Sequence, residues 1–206
     1  MGWTTNLLAV VFGYLIGSIP TAYLLVKWKA NLDIRTAGSG NVGTLNSYEV
    51  TNSKFVGAVV LLVDLLKGVC TVLAAQTLGG GFPAAAAAAL AAVLGHNFPV
   101  WLGFRGGRGL ATAAGAMLLL GWVVLPIWML AWFIGYKLSR DVNVGNAIAT
   151  LVMLLIPWVV PVEIWREWIS GSAEVFRIFV LLLALLILLR LVQPVREYFV
   201  HRPSKA

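Results

Sequence analysis

The chain has 206 residues, of which 60% are hydrophobic and only 11% are charged, and its mean hydropathy is +0.90. Because soluble domains carry about 25% charged residues, this composition excludes an ordinary soluble globular protein. The net charge of +7 does not predict nucleic-acid binding, because the cations lie at the ends of apolar segments and so indicate membrane orientation.

Seven apolar segments are predicted to cross a membrane as helices, which makes the fold class an all-α polytopic membrane protein. They comprise residues 4–26, 55–77, 84–102, 110–122, 125–138, 142–162 and 173–192. The first segment lacks the basic start and the cleavage site of a signal peptide, so it is expected to remain as a span. The fourth and fifth segments are short, and they could instead form one helix kinked near Pro126, which would leave six spans.

Basic residues collect in alternate connections between these segments, and this predicts the orientation of the chain. Cytoplasmic connections of membrane proteins are rich in Lys and Arg, so we expect an extracellular N-terminus and a cytoplasmic C-terminus. Seven spans satisfy the alternation and six break it. The basic residues of the successive cytoplasmic connections are Lys27, Lys29, Arg35 and Lys54, then Arg105 and Arg108, then Lys137 and Arg140, and in the tail Arg196, Arg202 and Lys205.

The first polar constellation is the stretch IRTAGSGNVGTLNSYEV, residues 34–50, between the first two segments. Glycines let successive N–H groups converge on an anion, and the arginine fork suits phosphate. The alternative, a solvated connector, has about equal support from the residues alone. The candidate ligands are Arg35, Gly38, Ser39, Gly40, Asn41 and Asn46.

The second constellation is GHNFPVWLGFRGGRGLAT, residues 95–112, in which a glycine-rich run enters a predicted helix. Free amides and the helix dipole favour an anion at such a position. His96 lies in an apolar segment, where a polar ring is more often functional than structural, although a bond to a nearby carbonyl is the alternative. The candidates here are His96, Gly106, Gly107, Arg108, Gly109 and Thr112.

Asp64 and Lys67 form the third constellation, and their spacing places them on one face of a helix. Charges inside a membrane helix are unfavourable unless they are paired or line a polar cavity. We therefore expect Lys67 to face the interior, where it could meet an anion, and a self-neutralising pair is the alternative. Together the three constellations predict a site for phosphorylated ligands at one membrane face. We expect no cofactor and no metal. Because Cys70 is the only cysteine, neither an intramolecular disulfide nor a cysteine-based zinc site is possible.

Four motifs in these segments resemble the acyl-phosphate:glycerol-3-phosphate acyltransferases, the PlsY family. They are GSIP at residues 17–20, GSGNVGTLN at 38–46, DLLKG at 64–68 and GHNFPVWLGFRGGRGLAT at 95–112. Beyond Thr112 only the hydropathy agrees, so we expect one domain with motifs at 17–112, less specific helices at 113–195 and a basic tail at 196–206.

The resemblance implies a seven-span enzyme of the bacterial inner membrane with its active site facing the cytoplasm. Such an enzyme transfers the acyl group of acyl phosphate to the 1-hydroxyl of glycerol 3-phosphate and releases lysophosphatidate and phosphate for phospholipid synthesis. By position in the motifs, it implies catalytic roles for Ser39, Asn41, His96 and Arg108, and substrate contacts for Asn46 and Lys67. Its implied partners are acyl phosphate, glycerol 3-phosphate and membrane lipid.

Three departures distinguish this chain from the family pattern. Arg108 stands where the family usually has lysine, and Glu49 stands where it has an arginine that meets phosphate. The family's third motif, beyond the last span, is not visible in the tail. The alternative interpretation is therefore an altered or inactive paralogue, with another acceptor or a lipid-binding or partner role.

Overall fold

The computed structural model describes residues 3–161, 163–164, 169 and 171–200. Val162 of the predicted sixth span and residues 201–206 of the predicted tail, with Arg202 and Lys205, lie outside the described residues. In chain order the helices are α1 Trp3–Ser18, α2 Thr21–Ala30, α3 Thr44–Thr51, α4 Lys54–Thr77, α5 Phe82–Asn97, α6 Leu110–Leu120, α7 Val124–Ser139, α8 Val142–Val159 and α9 Ala173–Val200. A short 3₁₀ turn, Val100–Leu102, follows α5.

Five of these segments are long and apolar enough to cross a membrane: Trp3–Ala30, Lys54–Thr77, Phe82–Leu102, Val142–Val159 and Ala173–Val200. The helices α6 and α7 are shorter and also apolar. The all-helical polytopic fold class is therefore confirmed. The alternative of one long helix kinked near Pro126 is wrong, because α6 ends at Leu120 and α7 begins only at Val124.

The first predicted span, one helix over residues 4–26, is instead interrupted and forms the two helices α1 and α2. Pro20 lies between α1 and α2, and proline lacks the N–H that would continue the helical hydrogen bonds. The N–H of Thr21 donates to the Ile19 carbonyl at 3.0 Å, which makes a tight turn at the break. The break places a backbone carbonyl, that of Ile19, inside an otherwise apolar segment.

Contacts divide the chain into two compact units, Met1–Leu120 and Gly121–Ala206. In the first unit, small residues let helices approach to backbone contact, as the small-xxx-small pattern predicts. A Cβ on Gly13 or Gly17 of α1 would strike the backbone of α5 at Ala88 or Ala92. A Cβ on Gly115 of α6 would similarly strike the backbone of α4.

The second unit contains α7, α8 and α9, with α8 packed against both of the others. Asp141 caps α8, since its carboxylate accepts from the N–H groups of Asn143 and Val144 at 2.7 and 2.9 Å. The hydroxyl of Tyr198 donates to the Ser139 carbonyl at 2.9 Å and so ties α9 to the end of α7. All of the predicted site residues belong to the first unit.

Candidate active site

Asn46, in the first turn of α3, organises the glycine-rich loop at residues 34–43. Its side chain is buried, its Oδ1 accepts from the Ser39 N–H at 3.0 Å, and its Nδ2 lies 2.9 Å from the Asn41 carbonyl. The same Nδ2 is 3.1 Å from the Ala37 carbonyl and 3.3 Å from the Ile34 carbonyl. The amide predicted to contact a ligand is therefore occupied by the loop backbone, and it fixes the position of Ser39.

Gly38 and Gly40 flank Ser39 with left-handed backbone conformations, at φ +57° and +69°. Such conformations are accessible to glycine at no steric cost. A Cβ on Gly38 would also strike the amide oxygen of Asn46. Because both neighbours are glycine, the loop turns tightly around Ser39 and leaves that residue exposed, while Asn41 is half-buried.

Arg35, predicted to bind phosphate, is paired with an acid of its own loop. Its guanidinium donates to both carboxylate oxygens of Asp33, the shortest contact being 2.6 Å from Nη2 to Oδ2. The Arg35 side-chain hydrogen bond lowers the pKa of Asp33 to about 2. Nη1 donates to the Leu102 carbonyl at 3.3 Å, so Arg35 links the first glycine loop to the turn after α5.

The second glycine loop runs from Phe98 to Gly109 and pairs back onto the end of α5. The N–H of Gly106 donates to the Asn97 carbonyl at 3.2 Å, and that of Gly107 donates to the His96 carbonyl at 3.0 Å. These two amides, predicted to face an anion, are thus engaged by backbone. The amides left without an intrahelical acceptor are those of the first turn of α6, which begins at Leu110.

The two glycine loops touch at Gly107. A Cβ there would lie 2.5 Å from the carbonyl of Val42 and would also strike Nε2 of His96. Only a glycine allows this approach of the two backbones and the imidazole. Arg108, the next residue, is half-exposed, so its charge is presented beside the contact between the loops.

Asp64 and Lys67 form a buried ion pair, with Nζ 2.6 Å from Oδ1. Lys67 also donates to the Ile19 carbonyl at 2.6 Å, and His96 Nδ1 lies 3.7 Å from the same Asp64 oxygen. The exposed fractions of Asp64, Lys67 and His96 are 2%, 4% and 9%. The prediction that Lys67 faces the interior is confirmed, and the Ile19 carbonyl is a partner that the sequence reasoning missed. The Pro20 signal for a helix break could have found it.

Thr112 and Gly109 have structural positions in the second loop. Gly109 has φ +77°, a conformation that starts α6 sharply. Thr112 is fully buried, and its hydroxyl finds no hydrogen-bond partner within the described part of the chain. A Cβ on Gly68 would strike the Thr112 carbonyl, so this residue packs against α4. A ligand could contact the Thr112 side chain only if α6 moved.

These observations define a class of protein: a helical membrane protein in which two cation-bearing glycine loops meet, one entering a helix N-terminus. A family model described as glycerol-3-phosphate acyltransferase matches residues 7–199. A glycerol-3-phosphate acyltransferase 2 of Moorella thermoacetica is 47% identical over 146 residues, covering 71% of this chain and 74% of the relative. A glycerol-3-phosphate acyltransferase of Sinorhizobium medicae is 38% identical over 179 residues, covering 87% and 82%.

A solved structure is similar over nearly the whole chain. The crystal structure of PlsY (YgiH), an integral membrane glycerol 3-phosphate acyltransferase, in its glycerol 3-phosphate form has a TM-score of 0.81, 30% identity, and coverage of 96% of this chain and 93% of that one. The lysophosphatidic acid form of the same protein has a TM-score of 0.79. The chain therefore belongs to the glycerol-3-phosphate acyltransferase family, and it is a multi-pass integral membrane protein. The likeness continues past Thr112, where the recognisable sequence motifs end.

Proposed function

We propose that this chain transfers an acyl group from acyl phosphate to the 1-hydroxyl of glycerol 3-phosphate, for phospholipid biosynthesis. The products are 1-acyl-glycerol 3-phosphate and inorganic phosphate. The observation that carries the proposal is the contact between the two glycine loops at Gly107, which brings Ser39 and Arg108 to adjoining backbone segments. Two phosphorylated substrates must meet for this reaction, and two adjoining loops with glycines and cations suit that requirement.

The chemistry asks little of the protein beyond positioning and charge stabilisation. The acceptor oxygen forms a bond to the carbonyl carbon of the donor, the bond from that carbon to the phosphate oxygen breaks, and the departing phosphate takes the hydroxyl proton. Because the donor is a mixed anhydride, no covalent enzyme intermediate is needed. Proximity and stabilisation of the developing negative charge supply the rate.

We assign these tasks to the residues that the loops expose. Ser39, exposed between two left-handed glycines, and Asn41 offer hydrogen bonds to an oxyanion. Arg108 and the first turn of α6 suit a phosphate, because the arginine fork and the helix N-terminus both favour anions. His96 contacts the second loop at Gly107, and Asn46 and Arg35 hold the first loop in shape.

The proposal places the site at the cytoplasmic face of a bacterial inner membrane, with the acyl tail between helices in contact with lipid. The cations at the ends of α2 and α4 and in the second loop support this orientation, because the positive side of a membrane protein is cytoplasmic. These residues are Lys27, Lys29, Lys54, Arg105 and Arg108.

The test is an assay of purified protein with acyl phosphate and glycerol 3-phosphate, measuring phosphate release and lysophosphatidate together. Arg108→Ala removes a charge-assisted contact of about 1.5–3 kcal/mol, so we expect kcat/KM to fall by roughly 10- to 100-fold. Ser39→Ala should also lower turnover. Lys29→Ala, at the exposed end of α2, is the matched control and should keep wild-type turnover. Absence of both products from folded wild-type protein would contradict the proposal.

A further inference from the structure

The buried pair of Asp64 and Lys67 is unusual because it lies within α4, a helix apolar enough to cross a membrane. Removing two charges from water is unfavourable by several kcal/mol per ion, and their mutual attraction need not compensate for it. A pair retained in such a place is therefore a candidate for a functional role. The question is whether the pair contacts substrate or acts through other residues.

The space next to the pair is too small for a substrate. The pocket has a cavity volume of ≈ 10 Å³, about enough for one water molecule. A phosphate group, and still more glycerol 3-phosphate, cannot enter it. Its lining includes Ile19, Thr21, Asp64, Lys67 and His96. Lys67 therefore does not contact a phosphorylated substrate in this arrangement.

The contacts of the pair connect two distant parts of the first unit. Lys67 holds the Ile19 carbonyl at the break between α1 and α2, 48 residues earlier in the chain. Asp64 faces His96 Nδ1 at the end of α5, at 3.7 Å. His96 in turn accepts the Gly107 N–H with its carbonyl at 3.0 Å, and its ring abuts Gly107. A continuous line of contacts thus runs from the helix break to the place where the glycine loops meet.

We propose that Asp64 and Lys67 are positioning residues, which fix His96, and through it Gly107 and the second glycine loop, against the break between α1 and α2. The inference rests on the proposed function of the two loops, and it adds that the pair acts without touching substrate. The competing explanation is a self-neutralising pair that only stabilises the fold. Thr21 supports the positioning role, because its buried hydroxyl, unpartnered within the described residues, lines the same cavity and can complete the polar lining around a water.

A double variant separates positioning from charge neutrality. Lys67→Met leaves a buried carboxylate without its partner, and Asp64→Asn leaves a buried ammonium, so each single variant should lower the unfolding temperature in detergent. The double variant Asp64→Asn/Lys67→Met removes both charges, so its unfolding temperature should return most of the way to the wild-type value. If the pair positions His96, kcat of the double variant should nevertheless remain about 10- to 100-fold below wild type, because a displacement of about 1 Å can lower the rate 100-fold.

The KM for glycerol 3-phosphate gives the second criterion. It should change less than about threefold in the two single variants and in the double variant. A rise in KM at constant kcat would overturn the proposal, because it would show that Lys67 binds glycerol 3-phosphate directly. Recovery of wild-type kcat in the double variant would overturn it in favour of charge neutrality alone. Thr71→Val is the control, since Thr71 is buried one turn from Lys67 on α4 and its hydroxyl donates to the Lys67 carbonyl of the same helix at 2.7 Å. We expect it to keep kcat within about twofold.

Hydrogen exchange tests the linkage without turnover, so that failure of the proposed reaction can be told apart from failure of this inference. The Gly106 and Gly107 amides are bonded to the end of α5, and they should exchange at least about tenfold faster in the double variant than in wild type. The Thr71→Val protein should match wild type. Unchanged exchange at these two glycines would overturn the positioning role even if the wild-type enzyme were active.

Discussion

Replacing Asn46 with aspartate tests the organisation of the first glycine loop with almost no change of shape. The substitution keeps an oxygen for the Ser39 N–H but turns Nδ2, which lies 2.9–3.3 Å from three backbone carbonyls, into a second oxygen. A side-chain amide has two N–H donors, so two hydrogen bonds are lost and a carboxylate faces carbonyl oxygens at a buried position. The loop must open to separate them or to admit water.

The magnitude follows from the number of groups left unsatisfied. A buried polar group without its partner is unfavourable by about 1–3 kcal/mol, so two such groups give at least about 2 kcal/mol before any charge repulsion is counted. Since 1.4 kcal/mol corresponds to a factor of ten, the closed loop becomes at least roughly 25-fold less populated relative to open forms. We expect kcat/KM for glycerol 3-phosphate to fall by about this factor.

The assay combines phosphate release with hydrogen exchange over residues 34–41. Faster exchange in this segment should accompany the loss of turnover, because an open loop no longer holds the Ser39 N–H against the side chain at position 46. Ser47→Ala is the matched control: Ser47 is the next residue, is also buried, and its hydroxyl donates to the Gly43 carbonyl at 2.9 Å. Wild-type exchange and turnover in Asn46→Asp would refute the view that this side chain holds the loop.

Three further predictions concern charge and packing. Glu49→Arg should lower the KM for glycerol 3-phosphate, because it removes a like charge from the exposed face of α3; Glu49→Gln should give a smaller decrease. Gly115→Val should lower the unfolding temperature, because its Cβ would strike the backbone at Leu65, whereas Ala114→Val at a half-exposed neighbour should not. At pH values above 3.8, Asp33→Asn should slightly lower the protection of the loop from exchange. This difference should disappear as the pH falls through about 2.

The Glu49 variants are tested by measuring turnover against the glycerol 3-phosphate concentration, and the Gly115 variant by thermal unfolding in detergent. The Asp33 variant is tested by hydrogen exchange at several pH values. The sign of the third follows from the lowered pKa of Asp33: the bond from Arg35 stabilises the ionised carboxylate, so its contribution is complete above the unfolded value and is lost on protonation. The pair is about one-third exposed, so the effect is expected to stay below about 1 kcal/mol. A KM that rises in Glu49→Arg would place the acceptor elsewhere.

The sequence predicted the elements of the fold well where a single physical signal decides them. Apolar length predicted the five segments that are long enough to cross a membrane. The alanine-rich α5 packs closely, with Ala85, Ala88 and Ala92 fully buried. The interruption at Pro20 was also predictable, because proline removes a helical donor, but the surrounding apolar residues extended the predicted helix across it. Hydropathy measures burial in lipid and is insensitive to a single missing hydrogen bond.

The site was harder to predict because polar groups serve the backbone as readily as a ligand. Asn46 and the amides of Gly106 and Gly107 have the chemistry of anion ligands, yet the fold uses all of them to shape the two loops. The bond from Lys67 to Ile19 joins residues 48 positions apart, and no local pattern encodes such a contact. Motif chemistry thus predicts where the site lies, but it does not separate residues that face the ligand from residues that hold those residues in place.

The distinction between residues that shape the loop and residues that face the ligand also applies to Glu49, which stands where the family has an arginine. Asn46 is buried and shapes the loop, whereas Glu49, one turn later on α3, is exposed. A charge reversal at position 49 therefore leaves the hydrogen bonds of Asn46, and with them the placement of Ser39, unchanged. The charge reversal instead affects the affinity for the phosphorylated acceptor. A negative side chain repels an incoming phosphate, whereas an arginine at the same position would attract it. The substitution should thus weaken acceptor binding while leaving intact the loop geometry on which acyl transfer depends.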